Sequence, residues 1–217
     1  MSLKSTVKAI SPAPMVALAK GTRHLVKTKA ARSKIQSLLK SGQPVSLELG
    51  AGNKKGTGGW TTLDLVPGCD IYCDLAKGIP FPDRSIQNMY SSHFFEHLTF
   101  KESQILLDEC MRVMRPGGKF SVCVPNARLY VKAYLEDQVL DDKTFFGYKP
   151  GYNHTSKIDY INYVAYLDGH HKYMFDEENL ITILGKKGFK NARIRQFDKT
   201  LDMIERDFES IYAEAER

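Results

Sequence analysis

Residues Val45-Ser46-Leu47-Glu48-Leu49-Gly50-Ala51-Gly52-Asn53 constrain this chain most: a short apolar run with one carboxylate, then two glycines separated by one residue. A run of this kind bounded by glycine predicts a buried strand of a parallel sheet, because both its faces must meet apolar cover. Gly50 and Gly52 carry no Cβ, so a ligand can lie against the main chain at the carboxyl end of the strand, where open α/β sheets bind ligands. The pattern therefore predicts a nucleotide-type pocket. A dinucleotide fingerprint needs a third glycine and an acid about 20 residues further on. Here Lys55 stands at the third position, and the first acid after the loop, Asp64, comes much sooner. A phosphate-cradling Walker loop is absent as well. Nicotinamide and P-loop chemistry are thereby disfavoured.

Beyond the glycines the chain carries an ordered set of short motifs. Asp64 comes first, then Cys73-Asp74-Leu75-Ala76 and Pro80-Phe81-Pro82-Asp83-Arg84-Ser85. Ser91-Ser92-His93-Phe94-Phe95-Glu96-His97-Leu98 and Met114-Arg115-Pro116-Gly117-Gly118 complete it. Over residues 44–126 this set resembles the class I S-adenosylmethionine-dependent methyltransferases of the type 11 kind, with a weaker echo at Gly188-Phe189. One departure is Ile86-Gln87, where the family usually has Phe-Asp. The resemblance implies an α/β fold: a Rossmann-like, doubly wound, mostly parallel sheet of six to seven strands with an antiparallel edge hairpin. It also implies S-adenosyl-L-methionine as cofactor, held by Glu48, Gly50, Ala51, Gly52, Asn53, Asp64, Leu65, Asp74, Leu75, Ser91 and Ser92. In this family the acid at Asp64 accepts both ribose hydroxyls, a task suited to a carboxylate because its two oxygens take two donors at once. Asp74 would meet the adenine edge, Leu75 would cover the ring, and the Ser91-Ser92-His93 end would face the methyl donor.

The chain has 217 residues, 42% of them apolar, which suits one domain with a full core. Three segments are expected: a basic arm and helix over 1–43, a cofactor-binding domain over 44–217, and within it an insertion over 126–175. No apolar run reaches the roughly 18 residues of a membrane span, and no signal-peptide pattern opens the chain, so a cytoplasmic protein is expected. Cys69, Cys73, Cys110 and Cys123 form no C-x-x-C pair; they read as reduced core thiols, and no metal site is expected. The net charge of +6 hides an asymmetry. Residues 1–43 carry nine Lys or Arg and no acid. Such an arm points to an anionic partner, a membrane surface or nucleic acid, or equally to a solvated arm that neutralises the slightly acidic body; a transit peptide is the third reading.

Taken in order, Ala31, Ile35, Leu38 and Leu39 predict a helix from about Ala30 to Lys40, packed beside the first strand. Only Asn53 to Gly59 separate the glycine loop from Trp60, too few for the usual crossover helix, which needs about a dozen residues. Loop amides around Asn53 and Lys54 would then have to hold the cofactor's methionine carboxylate, a task that a helix N-terminus normally shares. Strands are expected at Trp60–Val66, Asp70–Cys73, Ile86–Ser92, Lys119–Val124 and Phe189–Phe197, with a final antiparallel strand over Phe208–Ala215 implied by the resemblance. Thr99 and Glu102 form a capping box, and Asp176 caps a later helix.

The segment 126–175 holds eight of the eleven tyrosines and reads as helix, loop and helix. Placed after the fifth strand, it lies above the carboxyl edge of the sheet, a natural substrate cover. Its tyrosines could stack on a sugar, a base or an amine, or form the insertion's own small core. His93, His170 and His171 are the candidate proton acceptors, since imidazole titrates near neutrality; His97 is expected to order the turn after the fourth strand. The expected reaction is methyl transfer to an O or N atom of a small-molecule or glycan- or lipid-linked acceptor, the alternative being a cofactor-binding regulatory or assembly module without turnover.

Overall fold

The computed structural model describes residues 28–140, 153 and 155–217. The basic arm up to Lys27 and the middle of the insertion, with Tyr148 and Tyr152, lie outside them. Seven strands form one sheet in the order β3-β2-β1-β4-β5-β7-β6. They are β1 (Ser46–Leu49), β2 (Trp60–Asp64), β3 (Ile71–Tyr72), β4 (Ile86–Ser92), β5 (Met114–Pro125), β6 (Lys190–Ile194) and β7 (Ser210–Glu216). The first five run parallel, and β7 pairs antiparallel with both β5 and β6. This is the expected Rossmann-like α/β sheet with its antiparallel edge hairpin. Among the described residues no helix is long and apolar enough to cross a membrane.

Strand pairing sorts the side chains into two faces. Leu47, Leu49 and Leu63 join Met89, Phe120, Val122, Ala213 and Ala215 in one apolar core. Into that core pack α2 (Phe100–Val113), through Leu106, Leu107, Cys110 and Val113, and α5 (Glu177–Lys186), through Leu180, Ile183 and Leu184. The capping box is complete, with Thr99 Oγ1 accepting from the Glu102 N–H and Glu102 Oε2 from the Thr99 N–H, and Asp176 caps α5. All four cysteines are buried and unpaired.

The other face is polar. Glu48, Thr62 and Tyr90 sit in register across it, and Asn53 to Gly59 cross it with no helix. Side chains hold this short connection down. Thr62 Oγ1 donates to the Lys54 carbonyl at 2.8 Å, Asp70 Oδ2 accepts from the Gly56 N–H at 2.9 Å, and Lys55 Nζ reaches the Cys69 carbonyl at 2.8 Å. Asp70 is thus spent on the loop, and β3 begins one residue later than the pattern suggested.

Several strand ends shift by one to three residues from expectation, and the start of β5 and the seat of the first helix differ more. β5 starts at Met114, which pairs with Ile86; Arg115 to Gly118 then bulge outward before the ladder resumes at Lys119. The Gly117 N–H and the Gly118 carbonyl bond the backbone of Arg217, so the glycine pair lies within β5 and holds β7's neighbour Arg217 in place. The helix α1 (Lys29–Lys40), capped by Thr28, meets the sheet chiefly at β3, two strands from β1. The ion pair of Lys34 with Asp70, at 4.0 Å, marks the same place.

Beyond β5, α3 (Ala127–Leu135) and α4 (Ile158–Tyr166) build a satellite core from Ala127, Tyr130, Ala133, Leu140, Tyr160, Tyr163 and Val164. Tyr130, Tyr160 and Tyr163 are therefore structural. Tyr130 and Tyr163 direct their hydroxyls to the buried Glu209, at 2.5 and 3.3 Å. The ends of the insertion meet, since Asn126 and Phe175 form a β-bridge and the Ala127 N–H donates to the Phe175 carbonyl at 2.9 Å.

On the polar face, Asp202 accepts from Tyr90 Oη at 2.9 Å and from the Arg195 guanidinium at 2.6 and 2.8 Å, its own side chain fully buried. Asp202→Ala should leave Arg195 buried without its counter-charge, at a cost of about 3–5 kcal/mol and a fall in melting temperature on the order of 10 °C. Thermal unfolding followed by circular dichroism checks this; a fall of a degree or two would mean that the pair contributes little.

Candidate functional site

A cleft of about 290 Å³ opens at the carboxyl ends of β2 and β3, lined by Asp64, Leu65, Cys73, Asp74, Leu75, Ala76, Phe94, Leu98, Glu102 and Lys172. Four of the sequence-selected residues, Asp64, Leu65, Asp74 and Leu75, meet here. Each arrives for a local reason. Asp64 is the last residue of β2, and its carboxylate ties down the glycine loop: Oδ2 accepts from the Gly52 N–H at 2.7 Å and Oδ1 from the Val66 N–H at 3.1 Å. Each oxygen keeps a second lone pair for a ligand hydroxyl. Asp74 caps a 3-10 turn over Leu75–Lys77 through the Ala76 N–H and pairs with Lys77 at 2.8 Å, which fixes Leu75 against the core. Leu65 is half exposed and free to cover a ring.

The glycines divide their work. Gly50 has φ +67°, and a Cβ there would come within 2.0 Å of the Phe94 ring; Gly52 has φ +66° and faces open space. Gly50 thus makes room for an aromatic side chain from the turn after β4 and not, as the motif suggests, for the ligand itself. Gly52 keeps the open approach, with Ala51 half-buried and Asn53 exposed beside it. Phe94, seated on Gly50, forms one wall of the cleft.

The remaining cofactor candidates lie elsewhere. Ser91 is fully buried and its hydroxyl donates to the Leu49 carbonyl at 3.1 Å, joining β4 to β1. Ser92, at the end of β4, is half-buried and outside the cleft lining. Glu48 lies on the polar face, paired with Lys54 at 2.6 Å in a second cleft of about 120 Å³ that Trp60, Tyr90 and Thr200 also line.

None of the three candidate histidines lines the larger cleft. The His93 side chain is buried, with φ +47°, its Nε2 2.8 Å from Ser210 Oγ and its Nδ1 3.5 Å from Glu96. Burial opposes a charge on this ring, yet hydrogen bonds with Cys123 and Glu96 and the nearby Glu96 charge push its pKa up to about 9. His171 is buried, which holds its pKa below the usual value, and its Nδ1 lies 2.9 Å from the Val164 carbonyl. His170 is exposed. As anticipated, His97 orders the turn after β4: its Nδ1 lies 3.0 Å from the His170 carbonyl and so links the turn to the end of the insertion.

Sequence reasoning missed Phe94, Leu98, Glu102 and Lys172 as cleft residues. Glu102 was visible only as a capping acid, and its bonds from the Thr99 N–H and hydroxyl hold its carboxyl below the usual range. Three acids, Asp64, Asp74 and Glu102, thus face one lysine across the lining. Such a balance attracts a cation and repels a pyrophosphate. With open space over Gly52 and acceptors at Asp64, the residues present fit a nucleoside that carries a positive charge.

Gly50→Ala should destabilise the fold by about 1 kcal/mol or more, because alanine resists positive φ and its Cβ must displace Phe94. In a Phe94→Ala background the same change should cost less, a coupling that a double-mutant unfolding cycle measures directly. Equal costs in both backgrounds would remove the ring from the account.

A family model described as a methyltransferase domain matches residues 47–122. A comparison with curated proteins finds no relative. Among solved structures, phosphoethanolamine N-methyltransferase 2 of Haemonchus contortus is similar in two complexes. One is with S-adenosyl-L-methionine (14% identity, TM-score 0.50) and one with phosphomonomethylethanolamine and S-adenosylhomocysteine (12%, 0.51). Each match covers 85% of this chain and 52% of the other, so the chain spans about half the length of that enzyme. The segment that matches a methyltransferase domain runs from β1 into β5 and carries the glycine loop, Asp64 and Asp74, and the chain shares the Rossmann-like fold of those solved methyltransferases.

Proposed function

We propose that the protein moves a methyl group from S-adenosyl-L-methionine to an O or N atom of a small-molecule or glycan- or lipid-linked acceptor, by in-line displacement in the cytoplasm. The observation that carries this reading is the cleft itself, in which Asp64, Leu65, Asp74 and Leu75 converge under an acidic lining. The bound cofactor supplies an already activated methyl group on a positive sulfur, and the protein supplies position and dryness. Asp64 would accept the ribose hydroxyls while it holds Gly52, Asp74 would take the adenine edge, and Leu65 and Leu75 would cover the ring. The amides of Asn53 and Lys54 would serve the amino-acid tail near Glu48.

The insertion over 126–175 is proposed as the acceptor's cover. Its end delivers Lys172 into the cleft lining, and exposed Tyr134 and Tyr166 remain available for contact. Of the three histidines proposed to take an acceptor proton, His170 is the exposed one, whereas His93 is committed to Ser210 and Glu96. The similar Haemonchus contortus enzyme, a phosphoethanolamine N-methyltransferase by name, favours an amine acceptor, and the basic arm over 1–43 would suit an anionic partner or membrane surface. A binding module without turnover is the second reading, favoured by a cleft lining that holds no histidine among the described residues.

Calorimetric titration should show binding of S-adenosylmethionine and none of NAD. Asp64→Ala should weaken the former by about 10- to 150-fold, the equivalent of a lost charged hydrogen-bond acceptor at roughly 1.5–3 kcal/mol. An unchanged affinity would refute the ribose assignment. Release of S-adenosylhomocysteine in the presence of an acceptor decides between enzyme and module.

A further inference from the structure

The turn after β4 holds a second group of side chains that the cofactor cleft does not use. Glu96 is 2% exposed, and its Oε2 has no hydrogen-bond partner among the described residues. Its Oε1 lies 3.5 Å from His93 Nδ1 and 3.9 Å from His97 Nε2. A buried carboxylate oxygen without a donor is costly, and such an orphan calls for a positive partner.

Two imidazoles stand ready beside it. His97 Nδ1 is 3.0 Å from the His170 carbonyl and His171 Nδ1 is 2.9 Å from the Val164 carbonyl. A carbonyl only accepts, so each Nδ1 carries the proton and each Nε2 keeps its lone pair. A backbone carbonyl that orients a ring in this way is the usual support of a metal-bound histidine. The two rings meet edge to face at 5.1 Å. One donor atom from each of Glu96, His97 and His171 falls within 4.8 Å of the others. The backbone fixes this meeting too, because the Glu96 carbonyl accepts from the Lys172 N–H at 2.8 Å and the Tyr173 N–H at 3.3 Å.

We propose that Glu96, His97 and His171 bind a divalent transition-metal ion. Two imidazole nitrogens and one carboxylate oxygen suit zinc or iron better than calcium, magnesium or manganese, which prefer oxygen ligands, and no thiolate is involved. Metal–ligand distances of roughly 2.1 Å put tetrahedral donors about 3.4 Å apart, so the donors need to close by roughly 1.5 Å at most. His97 keeps 38% of its side chain exposed, so the ion's open positions face solvent, where water or an oxygen of a ligand completes the shell. The site stands whether or not methyl transfer is the reaction.

The test uses the full-length protein, stripped with chelator and titrated with Zn²⁺ against a chromogenic competitor, then with Co²⁺, whose visible spectrum reports coordination. One zinc per chain is expected. His97→Ala, its folding checked by circular dichroism and thermal unfolding, should weaken zinc binding at least about 100-fold, and His171→Ala should do the same. His170→Ala should bind zinc normally, because only its backbone carbonyl serves the site. Failure of the wild-type protein to take up zinc stoichiometrically overturns the proposal, as does wild-type affinity in both His97→Ala and His171→Ala. Loss of zinc in His170→Ala would likewise overturn this choice of ligands.

Discussion

The seating of β1 between β2 and β4 is the constraint from which the carboxyl edge is built. Its parallel register sets Leu49 level with Leu63 on one side and Ser91 on the other, so that three strands end together and three loops must share one small volume. Gly50 yields its side-chain space to Phe94, the Asp64 carboxylate holds the Gly52 amide, and the Ser91 hydroxyl bonds the Leu49 carbonyl. Each contact links two different loops or strands. The ligand cleft is the space these contacts leave, and its walls are as fixed as the register behind them.

That register also explains the unequal faces. The row through Leu47, Leu49, Met89 and Phe120 is apolar and receives α2 and α5. The row through Thr62, Glu48 and Tyr90 cannot lie against an apolar helix, and the chain instead lays a short loop over it, held by Thr62, Asp70 and Lys55. Missing helix and polar strand face are two aspects of one arrangement, since polar side chains on the sheet provide the hydrogen bonds that an irregular connection requires.

Much of this was legible in the sequence because it is local. The cap residues Thr99 and Asp176, the start of β2 at Trp60 and the short first crossover depend on neighbours a few positions away. What was hidden depends on distant partners. Nothing near Gly50 announces Phe94, and nothing near Asp70 announces that its carboxylate will bond Gly56, cutting β3 short. The start of β5 at Met114 was obscured by a helix stop signal that coincides with a strand pairing. Residues 93, 170 and 171 were chosen for their chemistry, but the fold seats His93 between Ser210 and Glu96, and brings His171 to Glu96 from across the insertion. Cysteine spacing has no bearing on a group assembled from Glu96 and two histidines.

The bridge between Asn126 and Phe175 makes the insertion an excursion with a closed neck. Its helices carry their own apolar centre, and the sheet continues through β5 and β7 whether the excursion is long or short. Lengthening a loop whose ends are already pinned costs little, about 0.6 kcal/mol for each doubling. Sequence drift in the excursion is therefore decoupled from the strands that carry Asp64 and Asp74. The stretch between Asn126 and Phe175 can therefore change in length and sequence without disturbing the sheet edge, and relatives should diverge fastest there.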